Sequence, residues 1–193
     1  IPYPLFDINE LGNYLRFNHA LKKNEEILYD ELLNLEAYNV FAFPRPLNAF
    51  FANKFTRFSI QNYLSSLVEV LLINHKNQNL GNTVFVNVRN EYFDVVNIEG
   101  NKLNHTSSFK YRTREDFAYY LLYVLHQSEL NPEDVKLIFL GEIDKNSKLY
   151  EIAYRYIRHI DFIGRNDFFR YSYVFDDVPV SYYYNLLNTS LCE

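Results

Sequence analysis

The chain has 193 residues, a formal net charge of −5 and a pI near 5.6, and 48% of it is apolar. That is enough apolar material for one large domain or two small ones, and too acidic a balance for a protein that grips nucleic-acid phosphates with a broad basic face. One cysteine, Cys192, excludes an intramolecular disulfide, no Cys/His cluster has zinc spacing, and no apolar run approaches the roughly 20 residues of a membrane helix. A soluble protein of a reducing, cytoplasmic compartment is expected. With 18 Tyr and 17 Phe but no Trp, many rings are expected half-buried at core edges, where a phenol reaches water. The chain starts at Ile1 and contains no Met, so further N-terminal residues are expected in the native protein.

In chain order, Pro2 and Pro4 precede a short helical pattern at Leu11, Tyr14 and Leu15. Residues 26–33 and 38–43 read as two strands, the second stopped by Pro44 and Pro46. A short helix is predicted over 47–54 and a brief strand over 58–60. From Gln61 the apolar residues Tyr63, Leu64, Leu67, Val68, Leu71 and Leu72 recur at helical spacing as far as His75. The polar run 76–82 is the expected internal boundary. Val84, Val86 and Val88 alternate along a strand, residues 89–91 turn, residues 92–98 form a second strand, and Gly100 sits in a second turn. Leu103, His105, Ser107, Phe109 and Tyr111 alternate along a third. Thr113 with Asp116 forms a capping-box-like start to a helix with a Phe117, Tyr120, Leu121, Val124, Leu125 stripe, broken at Pro132. Residues 135–140 read as a buried strand. Ser147 caps a second helix whose inner face is Leu149, Ile152, Ala153, Tyr156, Ile157 and Ile160, and residues 162–164 read as a final strand. Residues 168–175 and 182–184 are aromatic and β-prone. They are expected to pack on the domain, or else to offer an aromatic surface to a protein partner.

The order is a three-stranded meander followed by helix, strand, helix, with the fourth strand parallel to the first. It predicts an α/β protein of the ribonuclease H-like/actin-like ATPase fold, a mixed sheet of β-β-β-α-β-α order flanked by helices. Residues 81–193 form one such subdomain, with the aromatic tail, and residues 1–80 are expected to be part of another.

Asn87–Val96, Tyr111–Leu122, Leu140–Ile143, Val40–Pro44, Leu187-Asn188 and Leu191–Glu193 together resemble a bacteroidete family known only as a domain of unknown function. The resemblance implies an actin-like ATPase fold, similar to the cytoplasmic pilus-assembly ATPase homologue of type IV pili. It also implies relatives that are longer at the N-terminus, which would leave the first subdomain here without its opening meander.

Actin-like ATPases hold phosphate on hairpins with Asp-x-Gly at the end of a first strand: the acid organises the metal and its water, and glycine lets backbone amides approach. At the corresponding stretch Asn87 replaces the acid, and Arg89-Asn90-Glu91 contains no glycine. On the nucleoside side Gly141 keeps one glycine, and Glu142 puts a carboxylate where adenosine would pack. Asn87, Arg89, Asn90, Gly141 and Glu142 are therefore the residues of a degenerate nucleotide site. Arg89 is either a phosphate contact or an ordinary turn arginine. A ribonuclease H-type metal pair would need converging carboxylates. Asp94, Glu142 and Asp144 are the candidates, Glu115 and Asp116 being ordinary acids of a helix's first turn. His19, His75, His105, His126 and His159 are scattered, His105 reading as a core-edge imidazole and the last two as residues near helix C-termini. Neither a nucleophile elbow nor a Walker or dinucleotide loop is present.

Two functions follow. The first is a non-catalytic interaction or assembly module that keeps the actin-like shape without nucleotide hydrolysis, without a cofactor, and with a protein partner at the aromatic C-terminal region. The second is an ATP·Mg-binding ATPase whose catalytic loop lies upstream. A nuclease is a third. Nucleic acid is not an expected partner.

Overall fold

A computed structural model describes residues 1–17, 19–75 and 81–189. Most of the polar run 76–82, and Cys192, lie outside the described residues. The chain divides into two compact units, Ile1–Glu69 and Val70–Glu193, with the boundary inside the helix Tyr63–His75.

In the first unit, α1 (Leu11–Arg16) precedes an antiparallel pair, β1 (Glu25–Leu32) and β2 (Ala37–Pro44). The strand rings form an aromatic cluster: Phe6 stacks on Tyr38 at 3.9 Å, and Tyr29 meets Tyr38 edge-on at 5.7 Å. α2 (Arg45–Lys54) follows at once, because Pro46 at its start needs no hydrogen-bond partner for an amide and presets φ. It begins two residues earlier than the apolar pattern suggests. Residues 58–60 are not a strand; they form an extended connection into α3 (Tyr63–His75). Asp30, buried on β1, accepts from the Asn62 amide at 2.8 Å and so anchors the start of α3, where a carboxylate complements the dipole. Burial nonetheless pushes the Asp30 carboxyl up from its ordinary value. Asn39 reinforces the anchor by donating to Ser65 Oγ at 2.8 Å.

The second unit is built on a five-stranded sheet. Its strands are β3 (Thr83–Val88), β4 (Tyr92–Glu99), β5 (Lys102–Lys110), β6 (Lys136–Gly141) and β7 (His159–Phe162). Their spatial order is β5-β4-β3-β6-β7, with β3-β4-β5 an antiparallel meander and β6 and β7 parallel to β3 and β6. The central strand β3 is buried along its whole length, whereas edge strand β5 alternates exposed and half-buried. α4 (Arg114–Gln127) and α5 (Lys148–Tyr154) belong to the core on one face, with Val84, Val86, Phe93, Phe117, Leu121 and Phe139. Four phenylalanines of this unit, Phe85, Phe93, Phe117 and Phe139, are fully buried, each contributing about 2–3 kcal/mol by leaving water. α4 starts at a true capping box: Thr113 Oγ1 accepts from the Asp116 amide, and Asp116 accepts from the Thr113 amide. α6 (Tyr184–Asn188) packs against β6.

Three sequence expectations are corrected here. The last strand is His159–Phe162, not 162–164, because Ile160 and Phe162 are the residues that reach the core beside β6. α5 therefore ends at Tyr154; Tyr156 and Ile157 follow it in the turn, and Ile160 lies on β7, as does His159. Residues 168–175 carry strong β-propensity but form no strand, only a short 3₁₀ turn at Tyr173–Phe175. Propensity is context-dependent, and β7 pairs with β6 alone in this sheet.

Candidate functional site

The predicted residues converge at the carboxyl ends of β3 and β6. The parallel register sets Asn87 beside Leu140 and Val88 beside Gly141, and Asn90 stands exposed in the β3–β4 turn. The geometry there is tight. Gly141 has φ +83°, and a Cβ built on it would lie 2.2 Å from the Val88 carbonyl oxygen and 2.7 Å from Asn87 Oδ1. Only glycine fits, and what it permits is approach of the chain's own backbone.

Four backbone amides at this corner are engaged internally. Arg89 N–H donates to Tyr92 O at 2.8 Å, and Gly141 N–H to Ser181 O at 2.9 Å. Glu142 N–H donates to Val88 O at 2.7 Å, and Ile143 N–H to Gly141 O at 2.9 Å. Ser181, from the C-terminal segment, is buried and also donates its hydroxyl to Ile143 O at 3.4 Å. Nothing in the sequence marks Ser181 for this.

The side chains form a second hydrogen-bonded set. Across the antiparallel register Asn87 faces Asp94, which is completely buried. Asn87 Nδ2 donates to Asp94 Oδ2 at 3.0 Å. Arg89 donates to Asp94 Oδ1 at 3.1 Å, and Ser108 Oγ to the same oxygen at 2.5 Å. Arg89 also lies against the Tyr92 ring, 5.7 Å from its centroid. A buried carboxylate needs such partners, because desolvation otherwise disfavours the charge by several kcal/mol. The guanidinium read as a possible phosphate contact thus faces a carboxylate of its own chain.

Glu142 and Asp144 add negative charge next to the end of β6. Burial raises the phenols of Tyr111 and Tyr182; exposed Glu142 adds to it at Tyr111, and Asp144 and then Glu142 add to it at Tyr182. Among the described residues, no group of three or more His, Cys, Asp or Glu is placed to hold a metal ion. Asp94 is committed as above, and Asp144 Oδ1 accepts from the Asn146 amide at 2.7 Å. Glu115 pairs with Arg114, and Asp116 serves the cap. The histidines stay apart. His19 meets Glu25 at 2.9 Å, His105 meets Ser107 at 2.9 Å, and His126 sits in the last turn of α4. His75 Nδ1–H donates to Leu71 O at 2.8 Å, and burial holds its imidazole below the ordinary value, as it does for His105.

Among the described residues no helix is long and apolar enough to cross a membrane. Residues 1–160 match the family described as "Protein of unknown function (DUF3822)". The fold is similar to a crystal structure of a Bacteroides thetaiotaomicron protein described as having an actin-like ATPase fold and unknown function. The TM-score is 0.77 at 24% identity, over 84% of this chain and 63% of that one. The chain thus spans less than two thirds of that protein's length. No curated protein matches it. The α/β architecture expected from the strand and helix order is accordingly that of an actin-like ATPase fold.

Proposed function

The chain belongs to the DUF3822 family, and from that premise we propose that it is a non-catalytic interaction or assembly module that keeps the actin-like shape without nucleotide hydrolysis. The observation that carries this reading is the closed corner at the ends of β3 and β6. A triphosphate with its magnesium wants free amides, a metal-organising acid and room beside a glycine. Here the amides of Arg89, Gly141 and Glu142 donate within the chain, and Asn87 stands where the acid would be. The space beside Gly141 is filled by Val88. Exposed Glu142 adds repulsion toward any phosphate that approached. These residues do not fit the nucleotide. Within the same proposal, residues 81–193 are the second ribonuclease H-like subdomain, residues 1–80 are part of the first, and the role is one of assembly in the cytoplasm, as in the pilus-assembly ATPase homologue.

The test is calorimetric titration with ATP and magnesium, alongside an assay of phosphate release. No saturable heat and no turnover above buffer are expected. Micromolar binding with magnesium-dependent turnover would refute the reading. It would favour instead an ATPase whose catalytic loop lies upstream of Ile1, for which an Asp-x-Gly ending an upstream strand would be the independent mark.

A further inference from the structure

The first unit carries an apolar groove of about 400 Å³ between the end of β2, α2 and the connection to α3. Its walls are Phe43, Phe51, Phe55, Phe58 and Ile60. The rings of Phe55 and Phe58 stand 6.3 Å and 6.0 Å from that of Phe51. No residue of α2 is buried, and Phe50 and Phe55 are each more than half exposed, at 53% and 54%. Scattered surface phenylalanines are ordinary; several converging on one groove mark an interaction surface.

Arg57 lines the groove, and the surrounding stretch of chain is basic. Residues 37–68 contain Arg45, Lys54 and Arg57, all exposed, and no Asp or Glu, in a chain whose net charge is −5. The carboxylates across the sheet are engaged elsewhere. Glu26, opposite Phe43, accepts from Asn48 Nδ2 at 2.7 Å, and Glu25, opposite Pro44, is held by His19 and the Lys22 amide. Whatever fills the groove must therefore bring apolar side chains and negative charge together.

The C-terminal segment of the chain has that composition. Residues 171–182 contain Asp176 and Asp177 and no cation. Tyr173, Val174 and Val180 project, 83%, 63% and 50% exposed, and both aspartates are exposed. The inner side of the segment is pinned. Arg165 donates to the carbonyls of Phe175 and Val178, and its guanidinium lies 5.5 Å and 5.7 Å from the ring centroids of Tyr171 and Phe175. A segment held in shape by its own domain loses little conformational freedom on docking.

We propose that the groove receives residues 173–180 of a second copy of the chain. Tyr173 and Val174 enter between the phenylalanine rings, and Asp176 and Asp177 face Lys54 and Arg57. This deepens the assembly reading by naming its partner, and it does not depend on the loss of nucleotide chemistry. A contact of this size is small, so the association is weak and reversible, and its charged rim makes it salt-sensitive.

Sedimentation velocity over a range of concentrations, at low and high salt, tests it on the full chain. The weight-average sedimentation coefficient is expected to rise with concentration at low salt and to fall back at high salt. The double variant Lys54→Glu/Arg57→Glu, and separately Asp176→Lys/Asp177→Lys, should each weaken association about tenfold or more. Mixing the two reversed variants restores opposite charge across the contact and should bring association back to within about threefold of the parent. All four positions are exposed, and unchanged thermal melts would show that the variants fold. A chain monomeric at every concentration overturns the proposal. So does an association that neither reversal weakens, or one that the mixture fails to restore. Repeating the runs with ATP and magnesium separates this proposal from the functional one, since nucleotide binding refutes that reading while leaving the charge-reversal result standing.

Discussion

The two units handle awkward chemistry in opposite ways. In Val70–Glu193 a carboxylate, an amide, a guanidinium and a hydroxyl are turned inward and matched to one another around Asp94. In Ile1–Glu69 the phenylalanines of α2 and its flanks are turned outward and flanked by cations. The first arrangement stabilises a fold and leaves little for a ligand to bind. The second contributes little to its own unit and leaves much for a partner. Residues at a fold's customary site can thus be structural.

The sharpest way to break the comparison is at Gly141. Gly141→Ala forces a Cβ onto the Val88 carbonyl in a left-handed conformation and should cost about 4 kcal/mol, among the large single-residue effects. Gly100→Ala is its control: φ is +59° there too, but nothing lies within 4 Å, so only the backbone penalty of about 1 kcal/mol is expected. Equal losses for the two in urea titrations would mean that the corner is not tightly closed. Next comes Asp94→Ala, which removes the carboxylate that Asn87, Arg89 and Ser108 donate to. Breaking a buried pair costs up to about 5 kcal/mol, and the half-exposed Arg89 side chain, solvated in part, brings the expectation to about 2–3 kcal/mol. A loss under about 0.5 kcal/mol would show the network to be ornamental. Thr113→Ala should remove about 1 kcal/mol through the lost cap of α4. Phe55→Ser, in the other unit, should change stability by no more than about 0.5 kcal/mol. A larger loss there would make the groove part of a core.

The smallest effect is a pH slope. Burial depresses the folded-state pKa of His75 and His105. Each therefore contributes stability that is fully present above the unfolded value near 6.5 and is lost as pH falls through the folded value. Unfolding free energy should decline on acidification from neutrality, and His75→Phe should flatten that decline. An unchanged slope in the variant would remove His75 as a contributor.

The meander, the Thr113–Asp116 box and the α4 stripe were legible because each is a local pattern with a local cause: alternation, a cap, a helical period. The network around Asp94 was not, although Asn87, Arg89 and Asp94 were each in view; Ser108 was not. A turn over 89–91 pairs Val88 with Tyr92 and would set Asn87 opposite Phe93. The observed register pairs Val88 with Phe93, and that one-residue difference brings Asn87 to Asp94. The end of α5 and the position of β7 were missed because Ile157, Ile160 and Phe162 are apolar at spacings that suit helix and strand alike, and only pairing with β6 decides between them. In residues 168–175 propensity favours a strand, and only a 3₁₀ turn forms. The residues named for a degenerate site lie together, at the ends of two strands whose parallel pairing the strand order already implied.

The central claim is that the corner formed by β3 and β6 keeps the amides of Arg89, Gly141 and Glu142 for itself. It is tested most directly by following the amide resonances of Arg89, Gly141 and Glu142 while ATP and magnesium are added to the labelled chain. The account predicts that these resonances do not move at any concentration that leaves the rest of the spectrum unchanged. Saturable shifts of those three amides at micromolar nucleotide would contradict it.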